Sequence, residues 1–146
     1  MTDQKPNLVR NEWRRFLYRV RRYGNEHACK YIEGRIERRE LPLFLSLKVT
    51  EFLLQGGKYM LAGRILNQLK RQSERHPLLD EQYTSWLWCS GRKAEARRLA
   101  QKNANKWKKS YLYSHAAGLY SLSNAPTTAE RLFEKAETLA RREAIR

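Results

Sequence analysis

Residues 113–140 read YSHAAGLYSLSNAPTTAERLFEKAETLA, and the architecture of the chain is most legible there. Tyr113, Ala116, Ala117 and Tyr120 recur at helical spacing, as do Ala129, Leu132, Phe133, Ala136, Leu139 and Ala140. The i, i+3, i+4, i+7 pattern marks two helices with one apolar face each. Between them lies Asn124, which tolerates left-handed backbone angles, followed by Pro126, which suits a first helical turn. Small residues where the faces meet and larger ones between them let two antiparallel helices interlock.

The same punctuation recurs upstream. Gly57 precedes Ala62 by five residues, Gly91 precedes Ala96 by five, and Asn124 precedes Ala129 by five. Glycine and asparagine adopt positive φ at least cost, so each site predicts the end of one helix and the start of the next. A helix-turn-helix unit thus repeats every 33 or 34 residues. The order and spacing of Tyr113, Ala117, Tyr120, Ala129, Phe133 and Ala136 resemble the tetratricopeptide repeat family. The resemblance implies stacked helix pairs and a binding function, and it covers roughly residues 41–144. Gly57, Tyr59, Ala62, Leu66 and Leu69 conform to the pattern. Around Gly91 and Ala96, the inner positions hold Ala100 and Asn103, which make that unit degenerate. Ala28 lies 34 residues before Ala62, but Arg15 and Arg19 stand where the family keeps apolar or small side chains.

Caps and breakers predict helices over about 8–22, with Asn7 as cap, then 26–39, 43–55, 58–74, 78–90, 92–107, 110–123 and 126–143. The expected architecture is all-α, about eight helices in antiparallel pairs, stacked as a short TPR-like α-solenoid or a compact helical bundle. One domain spans 1–146, with a basic N-terminal helix pair over 8–40 and three TPR-like pairs over 41–144. With 41% hydrophobic residues the chain can build a core. No apolar run approaches the roughly 20 residues of a membrane span, and the polar start lacks a secretory h-region, so a cytoplasmic protein is expected. Cys29 and Cys89 are read as reduced thiols buried as small hydrophobes.

Charge is the second informative property. Thirty Lys and Arg against fifteen Asp and Glu give +15, and an excess of that size favours an acidic partner. Arg10, Arg14, Arg15, Arg19, Arg21 and Arg22 crowd the first helix against Glu12, opposite an apolar stripe of Trp13, Phe16, Leu17 and Val20. Arginine suits bidentate phosphate or carboxylate contacts. In the second helix Lys30, Arg35, Arg38 and Arg39 alternate with Glu26, Glu33, Glu37 and Glu40, which predicts i, i+4 pairs along that helix. A second cluster, Arg92, Lys93, Arg97, Arg98, Lys102, Lys106, Lys108 and Lys109, meets only Glu95. Arg98, Lys102, Lys106 and Lys109 share one helix face.

The expected polyanion-binding residues are therefore Arg10, Arg14, Arg15, Arg19, Arg22, Arg92, Lys93, Arg98, Lys102, Lys106 and Lys109. Trp86, Trp88 and Trp107 are candidates for stacking on bases, although aromatics at helical spacing are more often core. His27, His76 and His115 lack metal-site spacing, and no catalytic motif, metal site or cofactor is expected. Arg71 and His76, like Arg22 and His27, stand five residues apart in a pattern similar to the HEPN ribonuclease motif. The leading expectation is a non-enzymatic binder of nucleic acid or a nucleoprotein complex, and the alternative is an adaptor or assembly factor for an acidic protein segment. Self-assembly is a further expectation, because an end repeat without a polar cap can stack on another subunit.

Overall fold

The computed structural model describes residues 4–72 and 74–145, which form eight α-helices and no strand. The helices are α1 (Gln4–Tyr23), α2 (Asn25–Glu37), α3 (Leu43–Gln55), α4 (Tyr59–Arg71), α5 (Pro77–Cys89), α6 (Lys93–Trp107), α7 (Ser110–Leu122) and α8 (Pro126–Ile145). Helix α1 starts ahead of the expected cap: Asn7 lies inside it, and Pro6 falls in the first turn, where helix N–H groups have no intrahelical partner in any case. Among the described residues no helix is long and apolar enough to cross a membrane.

The chain divides into two compact units, Met1–Glu74 and Arg75–Arg146. Each contains two helix pairs, so the division falls inside the 41–144 stretch that the sequence treats as three like pairs.

The pairs share one construction. Gly57, Gly91 and Asn124 adopt φ of 74°, 87° and 59°, as expected, and Gly24 joins them at 93°. After the last three of these turns the same bond closes the preceding helix: Lys58 N–H donates to Leu53 at 2.8 Å, Arg92 to Leu87 at 2.9 Å and Ala125 to Tyr120 at 3.0 Å. The carbonyls of Lys58, Arg92 and Ala125 then accept from Ala62, Ala96 and Ala129 at 3.0 to 3.1 Å. Gly24 does both jobs in one residue, since it is itself the cap of α2 and its carbonyl accepts from Ala28 at 3.1 Å. The four alanines, 28, 62, 96 and 129, therefore occupy one and the same rung of their helices. All are buried.

In the first unit, Phe16 of α1 is fully buried and meets Phe52 of α3 edge-on at 5.5 Å, with Trp13 at 5.9 Å from the same ring. Ile32, Leu45, Val49, Leu53, Ile65 and Leu66 complete the core. Loss of the Phe16 ring would cost about 3–5 kcal/mol, the usual penalty of an aromatic cavity. Helix α4 packs on both α3 and α2. Its seam with α2 is polar: Arg64 bonds Glu26 and Glu33 at 2.6 Å each, Gln68 donates to the Glu33 carbonyl at 2.8 Å, and Gln72 to that of Ile36 at 3.0 Å. The i, i+4 pairs expected along α2 are largely replaced by ties to other helices, Glu26 and Glu33 to Arg64 of α4 and Arg35 to Glu12 of α1, while Glu40 pairs with Arg35 and Arg38.

In the second unit α5, α6, α7 and α8 pack in succession around Leu87, Ala100, Leu112, Tyr113, Ala117, Leu132 and their neighbours. Asn103 does not weaken this unit. It is buried and donates to Thr84 Oγ1 at 3.3 Å and to the Asp80 carbonyl at 3.4 Å, while Thr84 Oγ1 donates to the same carbonyl at 2.7 Å. A buried amide is tolerated because its partners are buried with it. Two expectations need correction. Phe133 and Ala140 are exposed, since no further helix succeeds α8 among the described residues. Cys29 is buried as expected, but Cys89 ends α5 in the open.

Candidate polyanion interface

Helix α1 buries Phe16 and partly buries Trp13, Leu17 and Val20, which leaves arginine, with Tyr18 and Tyr23, for the rest of its circumference. Arg10, Arg14, Arg15, Arg21 and Arg22 are exposed. Glu12, the acid expected to oppose them, is turned to Arg35 of α2 and forms a partly buried ion pair there. Hydrogen bonding to Glu12 raises the Arg35 pKa further, against the effect of its own burial. Among the described residues no carboxylate lies within ion-pair distance of the α1 arginines. Arg19 is half-buried with its guanidinium 3.8 Å above the Tyr31 ring, and Arg22 lies 5.8 Å from the centroid of Tyr23, which itself stacks on His27 at 4.5 Å. Such cation–π contacts orient the groups without neutralising them.

The α6 cluster divides by role. Arg92 pairs with Glu95 at 2.6 Å, and Lys93 sits 5.1 Å over Trp88. Lys106 lies 3.7 Å from Asp80 and 4.9 Å over Trp107, so it has intramolecular partners. Arg98, Lys102 and Lys109 are exposed, and no carboxylate among the described residues lies within ion-pair distance of them. Lys108 closes α6 in the left-handed conformation with φ 55°. Lysines at this end suit the helix dipole, but Arg92 as cap and Lys93 as first residue stand at the end where cations are unfavourable. Burial and local pairing account for Arg92 and Lys106; they leave Arg98, Lys102 and Lys109 unexplained.

Trp86, Trp88 and Trp107 are half-buried and pack against the core of the second unit. The Trp107 indole Nε1 donates to Asp80 Oδ2 at 2.7 Å, and Trp86 lies 5.3 Å from Tyr83. Each of these rings is committed to its own unit on at least one side. Sequence reasoning missed the contrast with their neighbours: α5 and α7 contain no Lys or Arg, so the positive charge of this unit is confined to α6, α8 and the turns. The signal is present in the sequence as helices of alternating charge.

The histidines have separate local roles. His76 caps α5 by accepting from Leu78 N–H at 3.1 Å through Nδ1, whereas Arg71 ends α4 in the other unit. His115 lies 3.4 Å from Ser85, and burial lowers its pKa. Among the described residues no three His, Cys, Asp or Glu converge as metal ligands. No family model matches the chain, and no curated protein or solved structure matches it either.

Proposed function

We propose that the chain is a non-enzymatic helical-repeat protein, built like tetratricopeptide repeats, whose basic surface contacts RNA or DNA, free or within a nucleoprotein complex. The observation that supports this most directly is the pair Arg98 and Lys102, exposed on α6 with no carboxylate among the described residues within ion-pair distance, followed by Lys109 at the start of α7, where Glu143 lies near it without forming an ion pair. The unpaired arginines of α1 provide a second contact of the same sign. Phosphates would neutralise both, and affinity would come mainly from counterion release.

The test is binding of a fluorescent single-stranded oligonucleotide at several salt concentrations. Arg98, Lys102, Lys108 and Lys109 alone contribute about −2.8 to the log–log slope, an affinity loss of about 50-fold between 50 and 200 mM salt, and contacts from α1 steepen it further. Lys102→Glu with Lys109→Glu should reduce that slope by about 1.4, two contacts at about 0.7 each, while helical circular dichroism is unchanged. Lys106 is a poor choice for this substitution because of its contact with Asp80. Absence of binding at low salt would reject the proposal.

A second reading, a protein adaptor or assembly factor, is favoured by helices α5 and α7. They expose Leu78, Tyr111 and Leu122 on surfaces without basic residues, while acidic segments would suit α6 beside them. Its signature is a stoichiometric acidic protein that remains bound after nuclease treatment.

A further inference from the structure

The position four residues beyond the shared alanine is Ile32 in α2, Leu66 in α4, Ala100 in α6 and Phe133 in α8. Their exposures are 1%, 0%, 3% and 43%. In α6 the position is sealed within the core that α7 completes. In α8 the largest side chain of the series is exposed, with no further helix packed over it among the described residues. On the same helix Pro126, Thr127, Glu130, Arg131 and Glu134 line a shallow depression of about 490 Å³.

The charges around Phe133 narrow what could lie there. Glu130, Glu134 and Glu137 recur at i, i+4, i+7 on its flank, with Arg131 lining the same depression as Glu130 and Glu134, whereas Lys135 and Arg142 lie on the other side of the helix. Acids are scarce in this chain and nearly all those of the second unit are engaged: Asp80, Glu81, Glu95, Glu137 and Glu143 have partners. Glu130 and Glu134 have none among the described residues. Two free carboxylates beside an uncovered aromatic ring call for a partner that is cationic and partly apolar.

Helix α1 presents that chemistry. Arg14 and Arg21 lie seven residues apart on its outer side with Tyr18, 60% exposed, between them. Glu130 and Glu137 lie seven residues apart on α8 with Phe133 between them. Both spacings span about 10.5 Å along a helix axis. The two helices are also equal in length, 20 residues, and longer than the 13 to 15 residues of the six between them. We propose that the Phe133 face of α8 docks α1 of a second copy of this chain, with Glu130, Glu134 and Glu137 against its arginines and Phe133 against Tyr18.

The two surfaces differ, so the contact is heterologous and an open assembly retains one free face of each kind, at its two ends, until it closes. It is independent of the α6 stripe and goes beyond the nucleic-acid reading. Because α1 serves both, nucleic acid would compete with the second copy for the α1 arginines.

Sedimentation of the nuclease-treated full chain at low salt tests this. The weight-average mass should rise with concentration and return to that of the monomer at high salt. Glu130→Arg with Glu137→Arg should keep the chain monomeric, as should Arg14→Glu with Arg21→Glu. A chain with all four substitutions should associate again. A wild type that stays monomeric at high concentration and low salt overturns the proposal, as does a wild-type mass unaltered by the α8 pair or a four-fold variant that fails to regain association. Oligonucleotide binding by the α8 pair is read separately: unchanged salt slope with lost association separates this contact from the α6 surface.

Discussion

Replacing Trp107 or Asp80 distinguishes a ring that holds the fold from one that receives a base. The indole N–H donates to Asp80 Oδ2 at 2.7 Å, and only 12% of the Asp80 side chain is exposed. A hydrogen bond to a charged acceptor contributes about 1.5–3 kcal/mol. The Lys106 ammonium at 3.7 Å is half-exposed and adds less than about 1 kcal/mol. The bonds from Thr84 and Asn103 go to the Asp80 backbone carbonyl and survive side-chain truncation. Asp80→Ala should therefore cost about 2–4 kcal/mol, and Trp107→Phe, which keeps an aromatic ring but strands the carboxylate, about 2–3 kcal/mol. In a double-mutant cycle the coupling should be about 1.5–3 kcal/mol, a factor of roughly 10 to 150 in the unfolding equilibrium. Urea unfolding of the full chain, monitored by circular dichroism and by the fluorescence of the remaining tryptophans, measures it. In parallel, Trp107→Leu should leave oligonucleotide affinity within about twofold, whereas a stacked base contributes about 1–3 kcal/mol. Coupling below about 0.5 kcal/mol, or a tenfold loss of affinity without loss of stability, would refute the structural role assigned to this ring.

Single side chains give two more expected outcomes. Burial, reinforced by Glu33, pushes the Cys29 thiol up to about 12, whereas Cys89 is exposed. A thiol reagent near pH 8 should titrate one cysteine in the native chain and the second only after denaturation; two fast thiols would show that α2 opens. The Glu143 carboxylate accepts from Ser110 N–H at 3.0 Å and from its hydroxyl at 2.8 Å, and these bonds hold it below the usual carboxylate range. A depressed folded value means that its contribution is present above the unfolded pKa of about 4.3 and is lost as pH falls through the folded one. Stability profiles between neutral pH and about pH 3 should therefore decline less steeply in Glu143→Gln than in the wild type.

What can be read from the sequence is local. The turns at Gly57, Gly91 and Asn124 are legible because residue type reports φ directly, and the helices are legible from their apolar periodicity. Arg39 and Lys108 adopt positive φ as well, but nothing in an arginine or lysine announces it. The candidate stripe on α6 is legible as spacing, whereas the division of labour within it is not. Lys106 and Trp107 share an acid that lies 26 or 27 residues away, and Asn103 reads as a defect in sequence for the same reason. The α2 acids likewise find Arg64 on a helix that periodicity treats as a separate element. Phe133 departs from its expected burial because that burial requires another helix packed on this face of α8, and none is packed there among the described residues.

The shared rung of Ala28, Ala62, Ala96 and Ala129 governs where this chain can change length. In each pair the second helix is phased by the carbonyl that its alanine hydrogen-bonds, and the number of residues in the preceding turn does not enter: Gly24 alone joins α1 to α2, whereas Gly56, Gly57 and Lys58 join α3 to α4. Lengthening the Gly24 turn by a residue should therefore leave the buried face of α2 unrotated. A residue added after Ala28 would instead turn the remainder of α2 by about 100° and carry Ile32 and Ile36 away from the core. The hairpin turns are where this architecture can absorb insertions, and the first turn of each second helix is where it cannot.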